Sequence, residues 1–177
     1  MLAYGRVVEQ ARRPGFFVDC GLPDTLDGRF ELICLHAFLY LHRLKREQPK
    51  AAPVGQCFFD AMFADFDRSL REMGTGDLSV GRQVKRMAEA FYGRVAAYEP
   101  GLAGDDAVLQ PALQRNLFGT APPTRPHLEA MASYVRREAA CLSRQGAAEL
   151  LAGEVLFGDP PRVAPEPEMV PEALDQR

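Results

Sequence analysis

In the stretch REMGTGDLSVGRQVKRMAEAFYGR three glycines, Gly74, Gly76 and Gly81, sit within eight residues, and Arg82, Lys85 and Arg86 follow them at once. Glycines beside basic residues raise the chemistry of phosphate binding. A phosphate cradle needs close backbone approach and N–H groups aimed from a helix N-terminus. The fit is loose. There is no GxxxxGK followed by Ser or Thr, no strand pattern precedes the glycines, and Asp77 would repel an anion. The same residues describe a corner between two helices. Gly74 suits the C′ position, Gly76 the turn, Gly81 its exit, and Asp77 and Ser79 suit capping.

Other reactive side chains lack partners. Asp60, Asp65 and Asp67 share one helical segment, and paired carboxylates can do acid–base work, but no His, Ser or Cys stands at a helpful spacing. His36 and His42 are six residues apart, on different sides of a helix, so a metal site has little support. Cys20, Cys34, Cys57 and Cys141 form no CxxC pair and are expected to be reduced, buried thiols. No metal or cofactor is expected.

The basic face has more substance. On the helix after the glycines, Arg82, Lys85, Arg86 and Glu89 lie away from the apolar stripe, Tyr92 flanks them, and Arg94 lies at the stripe's other edge. Gly93 falls on this polar face, where glycine costs about 1 kcal/mol relative to alanine. Close approach of another backbone would explain it, and so would a helix that frays early. A DNA-reading helix-turn-helix would have a shorter turn and a more basic body.

The elements that position these residues read as helices punctuated by Pro and Gly. A short helix is expected over 2–12, then an irregular stretch over 16–25 whose Phe16 and Phe17 plug a core edge. Asp27 is expected to cap a helix to about 47, apolar nearly all round and therefore central. A linker (49–53) precedes a helix over 54–73, with Phe58, Phe59, Met62, Phe63, Phe66, Leu70 and Met73 in one arc and an Asp67–Arg71 pair opposite. Ser79 is expected to cap the next helix, which ends at Glu99-Pro100-Gly101. Helices over 105–117, 127–144 and 147–152 follow, and only 154–157 hints at alternation.

The 177 residues suffice for one domain with a sizeable core. The expected fold is all-α: one irregular helical domain of six or seven helices over 1–157, followed by a disordered, Pro-rich acidic tail over 158–177. The net charge is −3, with 21 Lys and Arg against 24 Asp and Glu, unlike a protein built to neutralise phosphates. Asp159, Glu166, Glu168, Glu172 and Asp175, against Arg162 and Arg177, put that whole net charge in the tail. The N-terminus lacks the apolar run of a signal peptide, and the longest apolar run, LICLHAFLYL, is half a membrane span. A cytoplasmic location, peripheral at the inner membrane, is expected.

Three stretches carry a resemblance: ARRPGFFVDCGLPDTLDGRFELICLHAFL (11–39), FDAMFADFDRSLREMGTGDLSVGRQVKRMAEAFYGR (59–94) and, more weakly, NLFG (116–119) with the helix after it. Together they resemble the ubiquinol-cytochrome c chaperone family, the assembly factors of the cytochrome bc1 complex, in its bacterial form. The resemblance implies an all-α fold, no enzymatic activity and newly made cytochrome b as client. It also implies a small helical co-chaperone and a ribosome contact near the tunnel exit, as family members have in mitochondria. On that reading Asp77, Arg82, Lys85, Arg86, Tyr92, Gly93 and Arg94 form the partner-binding surface, with no DNA contact. A helical small-ligand-binding protein or enzyme, and an RNA-binding module, are the competing classes.

Overall fold

A computed structural model describes residues 2–119 and 121–163. Its helices are α1 (Leu2–Ala11), α2 (Gly15–Val18), α3 (Leu26–Leu44), α4 (Ala52–Glu72), α5 (Asp77–Ala103), α6 (Asp106–Leu113), α7 (Arg125–Arg144) and α8 (Ala147–Ala152). A 3₁₀ turn, Lys45–Glu47, extends α3, and a π-helical segment, Gln114–Phe118, extends α6. Among the described residues there is no strand, as the all-α reading requires. Six of the helices have eight residues or more.

α3 is the axis. Its apolar residues go round the helix, and it packs against α1, α5 and α7. Leu32, Cys34, Leu35, Ala37 and Tyr40 are wholly buried. α4 and α6 lie against α5, and α7 closes the domain against α3 and α6. Polar anchors join the layers. Tyr40 donates to the Leu150 carbonyl at 2.8 Å, binding α3 to α8. Arg43 donates through Nε to the Leu142 carbonyl (3.0 Å), through Nη2 to the Gln145 carbonyl (3.3 Å) and through Nη1 to Glu47 (2.6 Å). One buried guanidinium thus donates to two carbonyls at the end of α7, and its charge complements that helix end.

Several expected details differ. The cap of α3 is Thr25, whose Oγ1 accepts from Gly28 N at 3.1 Å; Asp27 lies in the first turn, where its charge complements the helix dipole. α5 does not stop at Glu99-Pro100-Gly101 but runs to Ala103. Proline near a helix end removes only one bond and already holds a helical φ. A Cβ on Gly101 would stand 2.8 Å from Leu109 Cα, so this glycine permits the close crossing of α5 and α6. Cys57 is exposed and Cys141 half-buried, because the buried register of α4 runs through Phe58, Met62, Phe66 and Leu70 and turns Cys57 outward. Residues 16–25 are not irregular throughout: Phe16 sits in the one-turn α2 and is wholly buried.

The chain from 154 to 163 has no regular secondary structure and is held by side chains, not by a strand. Gln145 donates to the Leu156 carbonyl and accepts from its N–H at 2.7 and 3.0 Å. Past the expected boundary at 157, residues 158–161 are still fastened to the body. The Gly158 carbonyl accepts from Gln10 (2.7 Å), its N–H donates to Glu138 (2.8 Å), and the Pro161 carbonyl accepts from Cys20 Sγ (3.2 Å). The tail expected to be disordered lies, from residue 164 on, outside the described residues.

A candidate partner-docking face on the α4–α5 corner

The corner follows from the end of α4. Gly74 has φ +84°, the left-handed conformation that favours glycine. Its N–H donates to the Arg71 carbonyl at 2.9 Å, and Thr75 N–H to the Leu70 carbonyl at 3.0 Å. This is a Schellman closure, as the sequence predicts for a C′ glycine. Gly76 is the N-cap of α5. Ser79, expected to be the cap, lies inside the first turn and donates instead to the Gly76 carbonyl at 2.7 Å. Gly81 also lies inside α5, not in the turn, because the helix begins at Asp77.

Arg71 locks the corner. It donates to Asp67 at 2.6 Å, the expected i, i+4 pair, and its other arm reaches Asp77 at the start of α5. Asp77 is therefore held by the corner's own guanidinium.

The remaining candidate residues divide in two. Arg82, Lys85, Arg86, Tyr92 and Gly93 are exposed along one side of α5. Among the described residues Arg82 and Arg86 form no ion pair, and Lys85 reaches Glu89 only at 4.0 Å. Tyr92 is 59% exposed, with its ring 5.6 Å from that of Phe59. Among the described residues, a Cβ on Gly93 would meet nothing within 4 Å, so none of them explains the glycine. Arg94, by contrast, points inward. It grips both carboxylate oxygens of Glu31, with Nε at 2.7 Å, donates to the Ala90 carbonyl at 3.0 Å, and lies over the Phe30 ring at 5.7 Å. Burial pushes the Glu31 carboxyl above its ordinary range even though Arg94 pulls it down; the bond to Glu31 pushes Arg94 up.

Beside Arg86 lies a groove of about 410 Å³ between α3, α4 and α5. Phe30, Ile33, Phe66, Leu70 and Met87 form its floor, and Arg12 and Arg86 stand on its rim. Arg12, like Arg86, forms no ion pair among the described residues. Leu26 and Met73, which line it, are 59% and 51% exposed, and Leu78 at the start of α5 is 95% exposed. The helical periodicity assigns Met73 to the apolar arc of α4, but that arc overruns the core by one turn. An apolar residue in a stop signal, and Leu78 directly after a corner, were the available signs of the groove.

Each carboxylate of the acidic trio has a partner of its own. Asp65 accepts from Tyr4 at 2.8 Å and pairs with Arg68, Asp67 pairs with Arg71, and Asp60 accepts from Gln56 at 2.7 Å. No group of three or more metal-ligating side chains occurs among the described residues. None of the described helices is long and apolar enough to cross a membrane.

The described residues thus form an all-helical domain with a rigid corner and an apolar groove, with guanidiniums at its rim. Residues 18–157 match the ubiquinol-cytochrome C chaperone family, and the chain belongs to that family, whose members are assembly chaperones of the cytochrome bc1 complex. It is 31% identical over 155 residues to ubiquinol-cytochrome-c reductase complex assembly factor 1 of Xenopus laevis, covering 87% of this chain and 78% of the relative. It is 31% identical to the human assembly factor 1 over 153 residues, covering 86% of this chain but only 51% of the relative. The crystal structure of the Cbp3 homolog from Brucella abortus superposes with a TM-score of 0.79 at 39% identity, covering 89% of this chain and 87% of that one.

Proposed function

We propose that this chain is a non-enzymatic assembly chaperone that binds newly made cytochrome b, and that it docks its client on the groove and the outer side of α5. The observation that carries the reading is the juxtaposition of an apolar groove with Arg86, which has no ion pair among the described residues, and with Arg82 one turn before it on α5, within the segment that matches the family. The occupant that suits this surface is an apolar stretch of cytochrome b flanked by carboxylates. Apolar burial in the groove would supply affinity, and the rim charges would supply orientation. The relatives' names as assembly factors support the non-enzymatic reading.

Within this proposal the protein works in the cytoplasm at the face of the inner membrane, with a small helical co-chaperone and a ribosome contact as further partners. Asp77 and Arg94 then serve the docking face indirectly: Asp77 fixes the corner, and Arg94 fixes α5 against α3.

The test is the double charge reversal Arg82→Glu, Arg86→Glu. Both side chains are exposed and unpaired, so the fold stays intact, as circular dichroism and melting would verify. Recovery of cytochrome b with the tagged protein from solubilised membranes, taken during active synthesis, should fall several-fold. Undiminished recovery from a folded variant would remove the assignment of this face.

A further inference from the structure

At the other end of α5, roughly 24 Å along the helix from Arg86, a second cavity of about 390 Å³ opens between the ends of α3, α5 and α7. It is lined by His42, Arg43, Arg46 and Arg136 and, among the described residues, by no carboxylate. Much of this positive charge has a structural use. Arg43 spends its donors on α7's last carbonyls and Glu47. Arg136 donates through Nη1 to the Leu102 carbonyl at 3.2 Å, capping α5, and through Nε to Asp106 at 3.1 Å. Three helix C-termini meet here, and these cations complement them.

Donor capacity is left over once that use is subtracted. Arg136 Nη2 and His42 Nδ1 are buried and have no hydrogen-bond partner. Asp106 Oδ1 lies within 3.1 Å of Arg136 Nη2 and Glu99 Oε1 within 3.3 Å of His42 Nδ1, so charge is near, but neither contact has hydrogen-bond geometry. Glu99 Oε1 is already held by Lys45 at 2.5 Å. Arg46 has no ion pair among the described residues, although every other arginine lining the cavity has one. A buried guanidinium nitrogen without a well-aligned acceptor is costly and rare in folded proteins. Below them Leu39, Leu102 and Ala139 give the cavity an apolar floor.

We propose that this cavity is a binding site for the phosphate group of an anionic organic ligand. Arg46 donates to the phosphate oxygens, the guanidiniums of Arg43 and Arg136 add positive charge to the wall, and Leu39 and Leu102 seat the adjoining carbon skeleton. Planar guanidiniums match phosphate in geometry as well as charge. Two sources supply this chemistry: the headgroup of an anionic phospholipid, or a soluble phosphate monoester.

The experiment titrates inorganic phosphate into the isotopically labelled full chain and follows the amide and arginine Nε signals. Saturable shifts are expected at Arg46 and Arg136. Arg46→Glu should weaken them by roughly tenfold or more, the loss of one charge-assisted contact, and Arg46→Lys should restore part of the affinity. Arg46 is exposed and unpaired, so these variants fold. Absence of a saturable shift at these residues, or an equal response in Arg46→Glu, overturns the site. A second arm separates the sources. Vesicles of phosphatidylglycerol in phosphatidylcholine should sediment the wild type but not Arg46→Glu if the ligand is a headgroup. Phosphate binding with no difference on vesicles assigns the site to a soluble phosphate compound.

Discussion

Tyr134 donates its hydroxyl hydrogen to His36 Nε2 at 2.8 Å, deep between α7 and α3. The tautomer follows, because His36 Nδ1 lies 2.7 Å from the Leu32 carbonyl, which only accepts. The same tyrosine oxygen accepts from Gln10 Nε2 at 2.9 Å, and Gln10 donates on to the Gly158 carbonyl. Phe16, Tyr134 and Phe157 surround the imidazole with ring centroids 5.1–5.8 Å away. A chain of hydrogen bonds thus runs from the central helix to the segment that leaves the domain. It serves structure, and it carries a pH dependence.

His36 is wholly buried, and burial lowers its pKa to about 4 from an ordinary 6.5. Below pH 6.5 the unfolded chain takes up a proton that the folded chain refuses, so stability present above pH 6.5 is lost as pH falls toward 4. By linkage the protein should be about 2 kcal/mol less stable at pH 5 than at pH 7 on account of this residue. Glu31, held above its ordinary range by burial, acts with the opposite sign. The comparison is therefore between the wild type and His36→Gln, by urea unfolding at both pH values. The variant should show a smaller loss on acidification; an equal loss would move the effect to other groups.

Glu138 fastens the exit segment from the other side. It is wholly buried, and it accepts from Gly158 N–H and from Arg137 Nε, each at 2.8 Å. Glu138→Ala leaves the Gly158 N–H without its acceptor, at a cost of about 1–3 kcal/mol. Glu138→Gln retains one acceptor oxygen. Hydrogen exchange at Gly158 should accelerate strongly in the alanine variant and only slightly in the glutamine variant. Similar rates in the two would mean that Glu138 does not fasten this segment.

Arg94 and Arg86 are both cations on α5, and they should behave oppositely. Arg94→Met strands the largely buried Glu31, and a loss of about 2 kcal/mol is expected, discounted from fully buried pairs because Arg94 is partly exposed. Adding Glu31→Leu should recover most of that loss. Arg86→Glu should leave the melting temperature nearly unchanged. Denaturant titration of the four proteins checks all of this together, and an unaffected Arg94→Met would return Arg94 to the exposed face.

This contrast marks how far the sequence could be read. Helices, their apolar faces and the C′ role of Gly74 are local properties, and period and propensity express them well. Arg94 was visible as a cation at the edge of a stripe, but its partner Glu31 is 63 residues away, and a charge on an edge says nothing of what faces it. Pro100-Gly101 reads as a stop because local rules favour one; the opposing surface of Leu109 turns it into a contact. The groove was hidden for the same reason, being made by three helices whose individual stripes each look like core. Cys57 erred by one position in register, enough to exchange inside for outside.

Gly93 separates stability from docking. It lies in the interior of α5, exposed, and a methyl group there meets nothing within 4 Å. Gly93→Ala should therefore stabilise the isolated protein by up to about 1 kcal/mol, through helix propensity and a less flexible unfolded chain. Gly101→Ala is the control within the same helix: its methyl would collide with Leu109 backbone and should destabilise clearly. If Gly93 is where a partner backbone approaches the outer side of α5, the stabilised variant will recover less cytochrome b than the wild type. Thermal melting and co-purification on one preparation decide the matter. A variant that melts higher and retains full recovery would leave Gly93 outside the docking face and confine that face to Arg82, Arg86 and the groove.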